Sequence, residues 1–315
     1  LLRLHRTQGK RIGSMQREWQ GSTDGNKWMQ QQLINCFRFL NLRIYYAGVA
    51  VVVPFYMLFG RGFKTSYSFF RRRIGHGRLR SVFLAYANFF RFGQVIIDRF
   101  AAYAGKKFSI AIDNYEAFAE LASAPGSFMM LSAHVGNYEM GGYNLVSEQK
   151  TINAIIFAGE TETVMENRTI QFGRTNIRMI PIRPDMSHLF AINRALRDGE
   201  IVSLPADRCD GSERTVACTF FGQTAHFPMG PFATIQQRRT PALAIFVMKE
   251  SVKGYRIFVR RLALPDESLP KKEFIHQLSQ QYAALVEETV RKYPTQWFNF
   301  FDFWAETNNE TDGKK

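Results

Sequence analysis

The stretch SFMMLSAHVGNYE, residues 127–139, decides how the central part of the chain folds. Its apolar run stops at His134, and Gly136 and Asn137 then permit a tight turn. The closing Tyr-Glu pair begins a segment with a helical pattern. A strand, a turn and a helix form the repeating unit of α/β sheets, in which functional sites lie at the carboxyl ends of strands. We therefore expect a site at His134.

The same unit repeats from about residue 108 onward. Short apolar runs rich in β-branched residues alternate with longer amphipathic segments, which predicts an α/β fold with a mixed, mainly parallel central sheet flanked by helices. The predicted strands are 108–112, 127–133, 152–158, 177–182, 200–206, TVACTF (215–220), ALAIFVM (242–248) and YRIFVRR (255–261), and the predicted helices are 136–149, 161–174, 186–198 and 271–292.

The histidine and the glutamate of this stretch can form an acid–base pair. The turn between them can bring the carboxylate of Glu139 back to the imidazole of His134, fixing its tautomer and raising the basicity of the second ring nitrogen. Such a pair is a general base with its orienting partner, and it needs no protein nucleophile if the substrate brings a hydroxyl or an amine. The alternative is a histidine that caps a helix, with Glu139 on a solvated face. The strand exit, the turn and the apolar surroundings favour the chemical interpretation.

The net charge of +14 is concentrated in the N-terminal third. Residues 1–110 hold 19 Lys and Arg against three acidic residues, whereas the rest of the chain holds 22 basic and 24 acidic groups. Such a basic block predicts an anionic partner, either nucleic acid or the cytoplasmic leaflet of a membrane. The 29 Phe residues favour an apolar partner and therefore the membrane.

The segment IYYAGVAVVVPFYMLF, residues 44–59, carries no charge between Arg43 and Arg61. A spanning helix needs about 20 apolar residues, so this run is short, and Pro54 is expected to kink it. The basic residues that follow are interleaved with Phe and Tyr, a mixture suited to the lipid headgroup boundary. We favour a monotopic membrane anchor over a single membrane pass, and a single pass over a buried core helix. Nucleic-acid binding does not require such a run, and we expect none.

These patterns divide the chain into two regions. Residues 1–107 are predicted to form a basic, aromatic-rich, helical membrane-anchoring region, and residues 108–315 an α/β domain. Residues 1–14 do not have the pattern of a signal peptide, and one interpretation is that they precede the true start at Met15.

The sequence gives no sign of a metal or nucleotide cofactor. The three cysteines form no CxxC pair, and no His, Cys and carboxylate cluster has metal-ligand spacing. No GxGxxG follows a strand, and no Walker-type GK[ST] motif is present. We therefore expect no metal and no cofactor.

AHVGNYE (133–139) resembles the HxxxxD/E motif of glycerolipid acyltransferases, and more closely that of the bacterial late (secondary) acyltransferases of lipid A synthesis. The HxxxxE spacing alone is weakly specific, but several blocks in a fixed order resemble that family. These blocks are REWQGSTDG (17–25), GQVIIDR (93–99), ALRDGEIVSLPADR (195–208), FFGQTAHFPMGPFA (220–233) and YPTQWFNFFDFW (293–304).

The resemblance implies transfer of a fatty acyl group from a thioester donor, either acyl carrier protein or coenzyme A, at the cytoplasmic face of the inner membrane. Carried over by position, His134 would be the general base and Glu139 its partner. Tyr138 departs from the pattern, because relatives more often have Trp there. We interpret this change as an altered pocket shape with the chemistry retained.

Acyl transfer builds negative charge on the thioester oxygen, and a hydrogen-bond donor or a cation should stabilise it. The candidates are the amides of Gly136 and Asn137 and the guanidinium of Arg208. Alternatively, Arg208 holds a phosphate or carboxylate of the acceptor, or forms a structural ion pair with Asp207. Asp207 itself is a further candidate for the oxyanion or substrate-binding site. The block 220–231 is interpreted as a loop lining the acyl or acceptor groove, and a turn between two strands is compatible with that role. The groove candidates are Tyr138, Phe221, Gly222, Phe227, Pro228 and Gly230.

We expect the acceptor to be a hydroxyl of lipid A or its precursor. An aminolipid, a sulfonolipid or another glycolipid is the alternative within the same chemistry. A different class of protein, a basic and aromatic-rich module that binds membrane or nucleic acid without catalysis, is the third hypothesis. The intact His134 and Glu139 weigh against it.

Overall fold

The computed structural model describes residues 41–60, 62–142, 144–157, 175–183, 185–209 and 214–304, together with residues 32, 35–37, 169 and 173. The block 17–25 lies outside the described residues, and so does the predicted helix 161–174 apart from two positions. The described chain forms a group of N-terminal helices followed by an α/β sheet.

The apolar run near the N-terminus forms a helix that packs on one face only. Gly93 of the following long helix packs closely against this helix, because a Cβ at Gly93 would lie 2.5 Å from Cγ1 of Val49. Pro54 lies inside the apolar helix. The helical segments of this region are α1 (Leu42–Phe59), α2 (Gly62–Ser68), a π-helical turn (Phe69–Arg73) and α3 (Arg78–Tyr103).

The central sheet of the described chain has the strand order β1-β9-β8-β2-β5-β3-β4. Strands β8, β2, β5, β3 and β4 run parallel to one another, and β9 runs antiparallel to β8. The prediction of a mixed, mainly parallel sheet is therefore confirmed. The strands are β1 (Ser109–Asp113), β2 (Phe128–Gly136), β3 (Ile152–Phe157), β4 (Ile177–Ile182), β5 (Ile201–Pro205), β8 (Ala242–Lys249) and β9 (Gly254–Leu262).

A separate hairpin and five helices complete the described domain. The predicted helix 136–149 is much shorter than expected, because a Cβ at Gly141 would lie 2.9 Å from Val247 and the glycine pair there does not continue the helix. The remaining elements are α4 (Tyr115–Ser123), α5 (Tyr138–Gly142), α6 (Ser187–Arg197), β6 (Thr215–Phe220), β7 (Gln223–Pro228), α7 (Met229–Arg238), α8 (Lys271–Lys292) and a 3₁₀ turn (Pro294–Gln296).

Strand β2 lies in the middle of the sheet and is buried on both faces, which explains its nearly continuous apolar sequence. Met129 and Leu131 belong to the core cluster that includes α8, whereas Met130 belongs to the cluster beneath α4. Burial of each such side chain contributes about 1.5–3 kcal/mol. Tyr282 of α8 donates a 2.6 Å hydrogen bond to the carbonyl oxygen of Ser132. The strand is therefore held firmly just before His134.

Helix α3 covers the edge of the sheet where β2 ends. The Nδ2 of Asn88 donates to the carbonyl oxygens of Thr295 and Trp297 at 3.0 and 2.9 Å. Trp297 in turn forms an antiparallel bridge with Val135. These contacts fix α3 and the segment after α8 against the carboxyl end of β2.

A buried ion pair anchors the second half of α3. The Oδ2 of Asp98 lies 2.5 Å from Nζ of Lys249, and both side chains are almost fully buried. The hydroxyls of Tyr46 and Tyr255 donate to the same carboxylate. Burial raises the pKa of the Asp98 carboxyl, against the opposing effect of the Lys249 charge. The cluster joins α1, α3 and the β8–β9 hairpin at one point.

Candidate active site

The candidate site forms where two neighbouring parallel strands end. Strands β2 and β5 pair in register from Phe128 with Ile201 to Ser132 with Pro205. His134 and Asp207 each lie two residues beyond the last pair, at the carboxyl edge of the sheet. The topology of the sheet therefore brings these two side chains together although 73 positions separate them in the chain.

His134 and Asp207 are joined by two hydrogen bonds. The ring Nδ1 of His134 lies 2.9 Å from Oδ1 of Asp207. The backbone amide of His134 donates to Oδ2 of the same carboxylate, also at 2.9 Å. The carboxylate thus fixes both the backbone and the ring of the histidine. The His134 side chain is 21% exposed and that of Asp207 only 2%.

The electrostatics keep the carboxyl of Asp207 ionised. Complete burial favours the neutral acid, but the charge and the hydrogen bonds of His134 outweigh burial, with a further contribution from Arg208. The net result is a pKa of Asp207 below its ordinary value. An ionised Asp207 accepts a hydrogen bond from Nδ1–H and leaves Nε2 of a neutral His134 with its lone pair.

The structure corrects the predicted partner of His134. Glu139 was expected to orient the imidazole, but Asp207 makes that hydrogen bond. The carboxylate of Glu139 is buried beneath α3, where Tyr103 donates to its Oε1 at 2.5 Å and Nη1 of Arg99 lies 3.6 Å from its Oε2. Five residues and one tight turn place Glu139 on the first turn of α5, from which it contacts the covering helix.

The turn after β2 has the geometry that the glycine predicted, but one expected role of its amides is wrong. Gly136 has a φ of +67°, and a Cβ there would lie 2.1 Å from the carbonyl oxygen of Val247. The amide of Asn137 donates to that same oxygen at 2.8 Å. This amide is therefore already paired and does not serve as an oxyanion donor in this conformation. The role of Gly136 stays a prediction.

Arg208 is held by the segment that follows α8. Its Nη2 donates to the carbonyl oxygen of Phe298 at 2.8 Å, and its guanidinium lies 5.3 Å from the ring centroid of Phe301. The Nε of Arg208 is buried without a hydrogen-bond partner. The predicted structural ion pair with Asp207 is not seen as a hydrogen bond: the carboxylate accepts from His134, and Arg208 donates to Phe298.

The sequence matches a known family over most of its length. A family model described as bacterial lipid A biosynthesis acyltransferase matches residues 84–305. The chain belongs to this family. The resemblance noted in the sequence is thereby confirmed, and the protein is an acyltransferase.

Solved structures that match the chain include a distant one. A 1-acyl-sn-glycerophosphate acyltransferase, PlsC, from Thermotoga maritima is 12% identical, with a TM-score of 0.35 over 82% of this chain and 99% of that one. Among curated proteins, none matches the chain significantly.

The predicted groove residues of the acyltransferase lie mostly in its core or in a turn. Phe221 and Phe227 are buried in the main hydrophobic cluster, so they do not line an open groove. Phe221 and Gly222, with φ of +50° and +72°, form the turn between β6 and β7. The alternative interpretation of this block as a turn between strands is therefore correct. Pro228 precedes α7, and Gly230 lies exposed in its first turn.

Tyr138 lies at the mouth of the site. Its ring meets the His134 ring edge-on, with a centroid distance of 5.8 Å and an interplanar angle of 77°. The Tyr138 side chain is 39% exposed. Of the predicted groove residues, it is the one with a described contact to the histidine.

Sequence reasoning missed the segment that closes the site from the C-terminal side. The amide of Phe298 donates to the carbonyl oxygen of His134 at 3.1 Å, while the carbonyl of Phe298 accepts from Arg208. The aromatic block 293–304 had been noted only for its resemblance to the family. Its proximity to the HxxxxE block could not be read from spacing, because 159 residues separate His134 from Tyr293.

Helix α1 is the one helix in the described part of the acyltransferase that is long and apolar enough to cross a membrane. Only 17% of it is buried, and its exposed side chains include Val51, Phe55, Leu58 and Phe59. A lone helix of this kind is weak support for spanning. It is consistent with an enzyme that associates with membrane lipid.

No metal site was found in the described ranges, where no group of three or more His, Cys, Asp or Glu side chains could hold an ion. The expectation that no cofactor is needed stays a prediction.

Proposed function

We propose that this acyltransferase moves a fatty acyl group from a thioester to a hydroxyl of lipid A or its precursor, with His134 as the general base. The observation that carries this proposal is the bond of 2.9 Å between Nδ1 of His134 and Oδ1 of Asp207. This bond orients a partly exposed imidazole. The family of the chain, the lipid A biosynthesis acyltransferases, supports the choice of reaction. In this proposal Asp207 takes the orienting role first given to Glu139.

The reaction needs no covalent enzyme intermediate. Nε2 of His134 removes the proton of the acceptor hydroxyl as its oxygen attacks the carbonyl carbon of the thioester. The tetrahedral intermediate then collapses, the C–S bond breaks, and the thiolate takes the proton from Nε2. The products are the ester and the free thiol of the donor. Asp207 stabilises the imidazolium that exists between these two proton transfers.

The negative charge on the tetrahedral intermediate requires a donor in the site. Arg208 is our candidate, because it follows Asp207 directly and its Nε has no hydrogen-bond partner. In the described conformation its Nη2 is bonded to the Phe298 carbonyl, so the guanidinium is already fixed in orientation. The amide of Gly136 is the second candidate.

We further propose that the enzyme lies on the cytoplasmic face of the inner membrane. The exposed apolar side of α1 supports contact with lipid. The basic residues that follow it in the chain, among them Arg71 and Arg78, suit an anionic leaflet and an acidic acyl carrier protein as donor. Coenzyme A is the alternative donor.

The experiment is lipid mass spectrometry on a deletion strain complemented with wild type, His134→Ala or His276→Ala. His276 is an exposed histidine on α8 and serves as the matched control. We expect wild type and His276→Ala to restore one missing acyl chain on lipid A, whereas His134→Ala leaves less than one part in a hundred of it.

Two results would contradict the proposal. Restoration of the acyl chain by His134→Ala to the wild-type level would show that His134 is not the general base. The second result is an intact lipid A in the deletion strain, together with loss of an acyl chain from an aminolipid, a sulfonolipid or another glycolipid. It would show that this other lipid is the acceptor, while the proposed acyl-transfer reaction would stand.

A further inference from the structure

A cavity of about 340 Å³ lies between the N-terminal helices and the C-terminal aromatic segment. This volume is at the lower end of the range for small-ligand pockets, about 300–1,000 Å³. One wall comes from α2 and the π-helical turn, and the other from the segment after α8. The lining residues are Lys64, Thr65, Ser68, Phe69, Arg72, Arg73, Trp297, Asn299, Phe301, Asp302, Phe303 and Trp304.

The cavity is positively charged. Lys64, Arg72 and Arg73 line it, and Asp302 is the one acidic residue among the lining side chains. Within the described part of the chain, none of the three cations forms a salt bridge or a side-chain hydrogen bond. Three cations against one carboxylate around one cavity favour an anion with several acceptor oxygens.

The aromatic wall holds one of these cations in place. The guanidinium of Arg73 lies 4.2 Å from the ring centroid of Trp304. Burial lowers the pKa of Arg73, opposed by Asp302 and assisted by Arg72. Trp304 itself is fixed, because its Nε1 donates to the carbonyl oxygen of Phe220 at 3.2 Å. Arg73 is therefore positioned before any ligand arrives, which reduces the entropic cost of binding.

The same segment reaches both the cavity and the catalytic residues. Trp297 and Asn299 line the cavity, and Phe298 between them donates its amide to the carbonyl oxygen of His134. Phe301 also lines the cavity and lies beneath the guanidinium of Arg208. The cavity is thus linked to His134 and Arg208 through this one segment.

The cavity also lies at the level of the apolar surface of the N-terminal helices. Leu58 and Phe59, at the end of α1, are strongly exposed a few residues before Lys64. Leu79 and Phe83, at the start of α3, are strongly exposed a few residues after Arg73. A cationic cavity between two exposed apolar stretches lies where the phosphates of a lipid surface would meet it.

We propose that this cavity binds a phosphate group of a substrate and thereby positions that substrate against His134. This inference rests on the proposed function for the identity of the reaction. The phosphate has two possible sources, the headgroup of a phosphorylated lipid acceptor or the phosphates of the thioester donor. Both sources have the same recognition chemistry, and the experiment below separates them.

The first test measures binding without any catalysis. Glycerol 3-phosphate and adenosine 3′,5′-bisphosphate are titrated by calorimetry into the detergent-solubilised full chain, at constant ionic strength. Arg73→Gln should weaken binding about tenfold. Lys64→Gln, at an exposed position of the cavity wall, should weaken binding as well. Asp302→Asn should tighten binding several-fold, because it removes the acid but keeps the oxygen that accepts from the Trp304 amide.

The matched control is Arg80→Gln. Arg80 is an exposed residue of the same basic segment that does not line the cavity. It should leave binding unchanged. Equal weakening in Arg73→Gln and Arg80→Gln would mean diffuse attraction to a basic surface and would overturn the proposal. Absence of phosphate binding by wild type would overturn it as well.

The second test identifies the source with steady-state kinetics of the purified enzyme. An increase in KM for the acceptor lipid, with KM for the acyl donor unchanged, assigns the cavity to the acceptor; the converse assigns it to the donor. If the cavity variants alter neither KM, the proposal fails while the His134 chemistry stands. If wild type transfers no acyl group, the proposed function fails, and the calorimetry still decides whether the cavity binds phosphate.

Discussion

Two buried carboxylates lie near His134, and different regions of the molecule hold them. Asp207 follows strand β5 and is bonded twice by His134, so the pair is built by two adjacent strands of the sheet. Glu139 belongs to the first turn of α5 and is bonded by Tyr103 and approached by Arg99, both of which belong to α3. One carboxylate is part of the sheet edge, and the other fastens the helix that covers that edge.

The difference separates orientation of the base from closure of the site. A carboxylate fixed by a rigid parallel sheet can hold an imidazole within narrow limits, because sheet registers do not shift easily. A carboxylate fixed by α3 depends on the position of α3, which is anchored through Asp98 and Lys249 and contacts α1. We therefore expect changes at Asp207 to affect the chemical step, and changes around Glu139 to affect the cover.

The largest effect is expected for Asp207→Asn. The amide at position 207 cannot accept from Nδ1–H through its nitrogen and stabilises the wrong tautomer of His134. By analogy with the same change in a Ser-His-Asp triad, kcat should fall by about 10³–10⁴-fold, or about 4–5.5 kcal/mol. Single-turnover acyl transfer measures it, with circular dichroism to show that the fold is retained. A loss below tenfold would return the orienting role to Glu139.

The same variant has a signature in the pH dependence of stability. The pKa of Asp207 is lowered in the folded protein, so its stabilising contribution is fully present above the pKa of an unfolded aspartate, about 3.9. That contribution is lost as the pH falls through the lowered folded value. Urea unfolding from pH 7 to pH 3 should therefore show a gap between wild type and Asp207→Asn that narrows below about pH 4.

The next effect concerns the anchor of α3. Lys249→Met removes the cation from a fully buried pair and leaves Asp98 without compensation, which should destabilise the protein by about 3–5 kcal/mol. Thermal unfolding measures this loss. Asp98→Asn combined with Lys249→Met should recover part of it, because no unpaired charge is then buried. The asparagine oxygen still accepts from one of the two tyrosine hydroxyls, and its amide group can donate to the other. A double variant no more stable than Lys249→Met alone would show that the charge on Asp98 is not the cause.

Sequence patterns were sufficient for most strands and for the helix after β9, whereas β7 and the bounds of α3 were not predicted. The strand patterns near 177–182 and 215–220 and the helix pattern near 271–292 match the observed elements, because hydrophobic periodicity follows directly from burial on a sheet or a helix face. The helix predicted at 136–149 was too long, because Gly141 approaches Val247 of β8 closely. Hydrophobic periodicity does not encode that contact.

The residues of the site could be predicted only as separate parts. His134 was selected from its position after a strand, and Asp207 only as a substrate-binding candidate beside Arg208. Their pairing depends on β2 and β5 being neighbours in the sheet, which no local pattern specifies. Glu139 was assigned to His134 because the two are close in sequence. Phe221 and Phe227 were assigned to a groove because the block around them is apolar, and apolar residues fill cores as well as grooves.

The smallest effect is expected for Glu139→Gln. The glutamine oxygen still accepts from Tyr103, so the contact with α3 is kept, but the negative charge opposite Arg99 is lost. We expect a loss of about tenfold in kcat/KM, or about 1.4 kcal/mol, with a larger part in KM than in kcat, because the chemical step retains its His134–Asp207 pair. Single-turnover rates at saturating substrate, compared with those of Asp207→Asn, measure the difference. A kcat for Glu139→Gln as low as that of Asp207→Asn would mean that Glu139 reaches His134 when substrate binds. The separate roles of Asp207, which orients His134, and Glu139, which fastens α3, would then hold only for the free enzyme.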